Sequence, residues 1–431
     1  MFEVRDKPEM VERALLVRIY SDRREEEEEA SLLAELGDLV TTLEIGVVDS
    51  AFVYTRSLHR KFLCGTGKAQ EVVDLAKAHE CDCIVFDNMF LPSQQRAWEE
   101  LADMCVIDRE EVILDIFSKR AHTKEARLQV DLAKMQYSLP RLTRMWGHLD
   151  REGGASGGGK GGGGASRGMG EQQVEVDRRL ARTRIDQCKR ELAEVRKQRS
   201  TRRKEREKQG IPCAAIAGYT NAGKSTLLNQ LAQSEVMAKD MLFATLDTTT
   251  RSIELPNGQP LLLTDTVGFV RNLPHRLVEA FKATLEESVL ADFIIHVVDA
   301  SSPEVHTLYK TTMEVLAELG AGDKPVITVL NKMDVLDDPV KLAGLEVAFP
   351  NTIAVSAKSG LGMEELRVKC AEMLADRVQT ETYRVPQSRG DLTGLLHREA
   401  KVLETEYDGN DVIIQAVVSP SVAGKLKPYA L

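Results

Sequence analysis

Apolar residues recur at two different spacings along this 431-residue chain, and the changes of spacing mark its divisions. In residues 1–120, short apolar runs alternate with segments of helical spacing. ALLVRIY (Ala14 to Tyr20), TLEIGVVDSAFVY (Thr42 to Tyr54) and CIVFD (Cys83 to Asp87) predict strands, whereas SLLAELGDLV and KAQEVVDLAKAH predict helices. Such alternation predicts an α/β domain. The acidic run Glu25 to Glu29 reads as the solvated start of a helix, where carboxylates suit the positive end of the dipole.

From Glu125 the period changes. Leu128, Leu132, Met135, Leu139, Leu142 and Trp146 step by four and three, which is a heptad seam, and the rhythm returns in Ala181, Ile185, Cys188, Leu192 and Val195. Two seams flanking one connection predict a long antiparallel helical hairpin over residues 121–209. Pro140 is expected to kink its first arm, because it removes a backbone donor. Between the seams lies GGASGGGKGGGGASRGMG, Gly153 to Gly170, with eleven of the chain's thirty glycines. The stretch 151–170 is either a slack tether or a projecting tip. Two pairing arms favour the tip, carried on the order of 30 Å from the hairpin's base at 1.5 Å of rise per residue.

A third pattern starts at Ile211. IPCAAIAGYTNAGKSTLLNQL is an apolar strand, a glycine-bearing loop and a helical run in Leu227, Leu228 and Leu231. Gly218, Tyr219, Thr220, Asn221, Ala222, Gly223, Lys224 and Ser225 fit GxxxxGK[ST] in that context, with Thr226 next in the helix. Glycines let backbone N–H groups curl round a β-phosphate. Lys224 supplies a fixed positive charge to the β and γ oxygens, and the Ser225 hydroxyl suits Mg²⁺. LLLTDTVGF places Asp265 at the end of a strand, where it can hold the metal's water shell, followed by Thr266, Val267 and Gly268, whose N–H can touch a γ-phosphate.

VITVLNKMD ends another strand with Asn331, Lys332, Met333 and Asp334. A carboxylate there can accept the N1 and N2 hydrogens of guanine, a pair adenine lacks, so that ATP is rejected by an unpaired polar site. TIAVSAKSG, with Ser356, Ala357 and Lys358, is expected to close over the base. Four motifs in this order, each after a predicted strand, predict a P-loop GTPase domain with an open, largely parallel sheet over residues 210–378. A small module with the apolar strand VIIQAVV follows at 379–431. The fold class is therefore multidomain α/β.

Two details shape the expected chemistry. LFATLDTTTR, Leu242 to Arg251, must offer a threonine to Mg²⁺ and the γ-phosphate, and by spacing alone Thr245, Thr248, Thr249 and Thr250 all qualify. The place just after the DxxG glycine, where switch GTPases commonly carry a water-positioning glutamine, holds Phe269. A phenyl ring cannot polarise water, so slow intrinsic hydrolysis is expected, whether the ring simply packs or not.

Composition narrows the class. Charged residues at 29%, hydrophobic residues at 43% and the lack of a long apolar run exclude a membrane-spanning protein, and the amino terminus lacks the layout of a secretory or transit signal, so a cytoplasmic, monomeric protein is expected. Seven cysteines, mostly isolated in apolar stretches, read as buried reduced thiols. A net charge of -10 argues against general coating of nucleic acid, yet eight Lys or Arg face two acids between Arg196 and Lys208. Arg178, Arg179, Arg182 and Arg184 add positive charge near the glycines, able to meet RNA phosphates or to form a solvated helix face.

The sequence resembles the HflX GTPases, ribosome-associated factors of the translation-factor-related class. RGMGEQQVEVDRR, Arg167 to Arg179, is similar to that family's signature RGPGETQLETDRR, and LFATLD, DTVGF, LPRL and FLCGTGKAQEV match as well. The likeness covers nearly the whole chain. It implies binding of GTP or GDP with Mg²⁺, and docking on the large ribosomal subunit and its RNA through the hairpin tip, with splitting or rescue of stalled ribosomes. It also implies that Phe243, Ala244, Thr245, Leu246 and Asp247 belong to the nucleotide site. Thr245 is then the metal threonine, beside Ser225, and joins Lys224 and Gly268 in catalysis. Gly168, Gly170, Arg178, Arg179 and Arg182 become the expected RNA contacts. Met169 and Thr248 stand where the family has proline, and the glycine insertion is longer.

Gly65 to Lys68, GTGK, is either a second phosphate cradle or a turn before a helix. Two other functions fit the same motifs: a switch GTPase whose hairpin binds a protein partner, and an RNA-remodelling NTPase using the amino-terminal domain.

Overall fold

A computed structural model describes residues 11–22, 26–141, 165–209, 211–232, 249–272, 274, 287–336, 338–375, 379–418 and 420–431. The chain divides into two compact units. One comprises Met1–Lys197, Met241–Leu246 and Arg271–Phe281; the other comprises Gln198–Asp240, Asp247–Val270 and Lys282–Leu431.

The first unit opens with β1 (Arg13–Tyr20), α1 (Glu26–Thr42), β2 (Gly46–Tyr54), α2 (Thr66–Ala78), β3 (Cys83–Phe86), α3 (Pro92–Ala102), β4 (Cys105–Asp108) and α4 (Arg109–Arg120). Its four strands are parallel in the order β2-β1-β3-β4. Continuous apolar runs suit strands covered on both faces, and β3 is buried at every residue. Trp98 is fully buried against Phe62 and Phe86, with ring centroids 5.3 and 4.7 Å away.

Two expectations change here. The predicted second strand loses its first four residues and starts at Gly46, because α1 runs through Thr42 and the chain turns at Glu44, whose φ is 67°. The acidic run is solvated only in part: Glu26, Glu27 and Glu28 are exposed, whereas Glu29 is buried and paired with Arg18. Arg18 also meets Asp87 at 2.5 Å, and Asp87 holds Arg109 at 2.6 Å, itself 2.7 Å from Glu35. Buried charge survives here because each carboxylate faces a guanidinium.

The helices α5 (Lys124–Ser138) and α6 (Ala165–Gln209) follow. Thr123 caps α5, its hydroxyl accepting the Ala126 N–H at 3.1 Å. Leu128 and Leu132 pack with Ile185, Cys188 and Leu192, and Met135 and Leu139 border them, which is the seam the spacing predicts. Lys124 lies 3.9 Å from Glu191 while Asp131, further along α5, acts on Cys188, further back on α6. The helices are therefore antiparallel. α5 stops at Ser138, two residues before Pro140, with Leu139 still in the αR conformation; the arm beyond Arg141, on which the expected kink at Pro140 depends, lies outside the described residues. Leu142, Trp146 and residues 151–164 lie outside the described residues. Because α6 begins at Ala165, Gly168 and Gly170 are helical positions rather than part of a loop.

The second unit carries β5 (Cys213–Gly218), α7 (Lys224–Ala232), β6 (Thr249–Glu254), β7 (Pro260–Asp265), β8 (Phe293–Asp299), α8 (Val305–Glu318), β9 (Val326–Asn331), α9 (Pro339–Ala348), β10 (Thr352–Ala354) and α10 (Met363–Met373). Six strands run in the order β10-β9-β8-β5-β7-β6, all parallel except β6. Ile216, Leu227, Leu231, Leu263, Ile295 and Val329 are among the core residues that fix α7 against this sheet. Beyond it, β11 (Gln379–Pro386), α11 (Gly390–Glu399), β12 (Lys401–Asp408), β13 (Asp411–Val418) and α12 (Pro420–Leu426) form a three-stranded antiparallel sheet with two helices around Tyr383, Ile414 and Leu396. Among the described residues, no helix is long and apolar enough to cross a membrane.

None of the seven cysteines is joined in a disulfide. Cys105 and Cys213 are half-buried rather than buried, since each begins a strand where cover is incomplete.

Candidate functional site: a nucleotide cradle at the carboxyl edge of the sheet

The loop after β5 is shaped by three unusual backbone positions. Gly218 has φ 153°, and a Cβ there would lie 2.3 Å from the Val297 carbonyl oxygen. Asn221 adopts φ 61° and Gly223 φ 94°, where a Cβ would meet Asn331 Nδ2 at 2.2 Å. Only glycine tolerates such an approach at the two ends of the loop. The turn delivers Lys224 and Ser225 as the first residues of α7, so the loop's N–H groups and the helix start converge on one spot, a ready anion site.

Lys224 is buried, and its ammonium donates to the Tyr219 carbonyl at 2.7 Å. Burial pushes its pKa down to about 8, opposed by the nearby Asp265 carboxylate. Ser225 Oγ donates to Asp265 Oδ2 at 2.7 Å. These two hard oxygen donors suit Mg²⁺, which favours a carboxylate or hydroxyl with retained water. Thr266 Oγ1 donates to the Ile216 carbonyl at 2.8 Å, tying the DxxG segment to β5. Gly268 stands directly over the lysine: a Cβ on it would lie 2.9 Å from Lys224 Nζ and 2.7 Å from Thr220 Cγ2.

On the other side, Asn331 Nδ2 donates to the Ala222 carbonyl at 2.8 Å and its Oδ1 accepts the Ala357 N–H at 2.9 Å. One side chain thus ties the phosphate loop to the segment after β10. Asp334 is exposed and accepts from Ser356 Oγ at 2.6 Å; that bond, ahead of the charges of Lys358 and Lys332, holds its carboxyl below the usual range. Lys332, at φ 67°, reaches Asp299 Oδ2 at 2.8 Å, and the Met333 N–H donates to the Val355 carbonyl at 3.2 Å. An exposed, ionised and braced carboxylate can accept two N–H groups from one purine edge.

The structure brings together Gly218 to Thr226, Asp265 to Gly268, Asn331 to Asp334 and Ser356 to Lys358. Phe243, Ala244, Thr245, Leu246 and Asp247 lie outside the described residues. On α6, Arg179 and Arg182 are exposed, whereas Arg178 is half-buried and 3.7 Å from Glu175. Sequence reasoning missed Asp299, although an acid closing the apolar run FIIHVVD was a visible signal. It also missed His296. This ring is buried behind the loop, stacked on Tyr309 at 4.8 Å, beside a cavity of about 70 Å³ that Tyr219, Thr220 and Thr312 also line. Burial, reinforced by Lys224, pushes its pKa down to about 3, so it is neutral.

A strand, a glycine-bearing loop and a helix that starts on lysine and serine, set in a mainly parallel sheet with DxxG and NKxD carboxylates at its edge, define a P-loop GTPase domain. Three family models agree: a GTP-binding GTPase N-terminal region matches residues 30–118, a GTP-binding GTPase middle region 120–206, and a 50S ribosome-binding GTPase 213–332. The chain is 60% identical over 433 residues to GTPase HflX of Akkermansia muciniphila, covering 100% of this chain and 99% of that one. It is 39% identical over 407 residues to GTPase HflX of Escherichia coli, covering 94% and 93%. A GTP-binding protein of Sulfolobus solfataricus solved with GDP is 23% identical, with a TM-score of 0.43 over 84% of this chain and 99% of that one. The chain belongs to the HflX family of GTPases.

Proposed function

We propose that this GTPase binds the large ribosomal subunit and, in its GTP state, splits or rescues stalled ribosomes, with hydrolysis stimulated by the ribosome. The observation that carries the reading is the match of residues 213–332 to a 50S ribosome-binding GTPase model, on a chain whose helical hairpin presents exposed Arg179 and Arg182. Phosphate-rich RNA is the natural counterpart of such a charged stem.

At the nucleotide, the loop's N–H groups and Lys224 take the β-phosphate, Gly268 N–H and Thr245 take the γ-phosphate, and Asp334 with Ser356, Ala357 and Lys358 takes guanine. Ser225 and Thr245 would hold Mg²⁺, with Asp265 assisting through its water shell. When bound, the ion neutralises charge that builds on the transferring phosphoryl oxygens. No glutamine follows Gly268, and the buried Phe269 ring cannot orient water, so hydrolysis by the chain alone is slow. The protein works as a cytoplasmic monomer that meets its activator on the ribosome.

The test is GTP turnover by the purified chain alone and with purified large subunits, across a salt series. Strong, salt-sensitive stimulation is expected. Equal turnover with and without subunits would transfer the reading to a switch GTPase whose hairpin takes a protein partner.

A further inference from the structure

The DxxG segment does not stop at Gly268 but continues onto the phosphate loop itself. The Thr220 N–H donates to the Phe269 carbonyl at 2.8 Å, and the Phe269 N–H donates to the Gly218 carbonyl at 3.1 Å. Tyr219 and Phe269 thereby form an isolated parallel β-bridge. The Phe269 ring is 1% exposed, so the bridge is anchored by a fully buried side chain. Meanwhile Lys224 donates back to Tyr219, and Gly268 stands over the lysine so closely that even a Cβ would come within 2.9 Å of Nζ and 3.0 Å of Thr220 Cα.

A γ-phosphate touching both Lys224 Nζ and Gly268 N–H has to occupy the space between them. Here Gly268 approaches Lys224 and Thr220 so closely that a Cβ on it would already lie 2.9 Å from Nζ and 2.7 Å from Thr220 Cγ2, which leaves too little room beside it for a phosphoryl group. A β-phosphate, held by the loop and the start of α7, makes no such demand on Gly268. We infer that Phe269 is a specificity-determining residue for the nucleotide's phosphate state: its backbone bridge to Gly218 and Thr220 closes the γ-phosphate position, favours GDP, and must open before GTP seats fully.

The inference rests on reading Gly218 to Ser225 as the phosphate cradle. It assigns the position after Gly268 a task other than handling water. The backbone amides close the site, and the buried ring sets how firmly they do so. Buried rings are held by large apolar contact, so truncating this one loosens the bridge without removing any group proposed to touch GDP.

Hydrogen exchange on the full-length wild-type chain tests this directly, with no nucleotide, with GDP, and with a non-hydrolysable GTP analogue, each with Mg²⁺. The Thr220 and Phe269 amides should be protected in the first two states and exchange at least tenfold faster with the triphosphate analogue. Equal or greater protection with the analogue overturns the inference. In parallel, the ratio of GDP to triphosphate-analogue affinity is measured for wild type and Phe269→Ala. The variant should keep its GDP affinity and shift the ratio about tenfold toward the triphosphate, a factor that corresponds to about 1.4 kcal/mol. An unchanged ratio with GDP affinity retained overturns it. Loss of GDP binding by wild type itself would instead sink the cradle reading.

Discussion

Ser356 Oγ sits 2.6 Å from Asp334 Oδ1, and this hydrogen bond fixes one oxygen of an otherwise exposed carboxylate. Removing it with Ser356→Ala lets the Asp334 carboxyl return upward toward its ordinary range, since that bond is the first cause of its depression. An ordinary carboxyl is still ionised at neutral pH, so the loss is one of orientation, not charge. GDP affinity should fall roughly three- to tenfold, with the same pH profile from 6 to 8. A fluorescent-nucleotide titration at several pH values checks both parts; a pH-dependent defect would show that charge, not orientation, is at stake.

Lys224 gives the opposite kind of pH dependence. With its pKa pushed to about 8 in the free protein, the ammonium begins to lose its proton just above neutrality. Nucleotide phosphates favour the charged form and raise that pKa. Binding therefore takes up a proton above about pH 8, and affinity falls as pH rises through that value, while below it affinity is flat. In the nucleotide-free protein the sign reverses for stability: between about 8 and the unfolded value of 10.5 the unfolded chain holds the extra proton, so stability rises with pH. Calorimetry at pH 8.5 in two buffers of different ionisation enthalpy should detect the uptake, and Lys224→Ala should abolish binding.

Much of this was legible in the chain because the relevant features are periodic or local. The seam residues Leu128, Leu132, Ile185, Cys188 and Leu192 pack as their spacing predicts, and every motif after β5, β7 and β9 falls at the carboxyl end of its strand. What sequence could not show is long-range pairing. Glu29 looks like any acid in a charged run until the fold brings Arg18 to it, and neither pattern nor composition says that Lys332 finds Asp299 or that Phe269 zips onto Gly218 and Thr220.

The buried ion cluster of the first unit predicts unequal costs for two substitutions at one site. Arg109 is fully buried between Asp87 and Glu35. Arg109→Ala strips a counter-charge from two buried carboxylates and should cost about 3–5 kcal/mol, the range for breaking one side of a buried pair. Pairing the same change with Asp87→Asn alone should recover part of that loss, because Arg18 then keeps Glu29, Arg271 keeps Glu35 at 2.9 Å, and no excess buried charge is left. Urea unfolding of the full chain, followed by fluorescence of the buried Trp98, reports this unit.

The hairpin seam should be separable from nucleotide chemistry. Leu132 is buried against Cys188 and its neighbours, so Leu132→Ala should cost about 2–4 kcal/mol through lost burial and a residual cavity. Its GDP affinity should match wild type, because Leu132 belongs to the hairpin's apolar cluster and is none of the residues proposed to touch nucleotide. An equal loss of GDP binding would contradict the independence of the two sites.

Arginines on α6 differ in a way that salt can resolve. Arg179 and Arg182 are exposed, while Arg178 is half-buried and lies 3.7 Å from Glu175, so its charge is already partly answered. If the stem meets RNA phosphate, each exposed arginine releases about one counterion, and Arg179→Gln or Arg182→Gln should each lower the slope of log affinity against log salt by about one. Arg178→Gln should lower it less. Sedimentation of the chain with large ribosomal subunits, loaded with a non-hydrolysable GTP analogue, gives these slopes. Three identical slopes unchanged from wild type would leave the arginines as a solvated helix face and place the ribosome contact elsewhere on the chain.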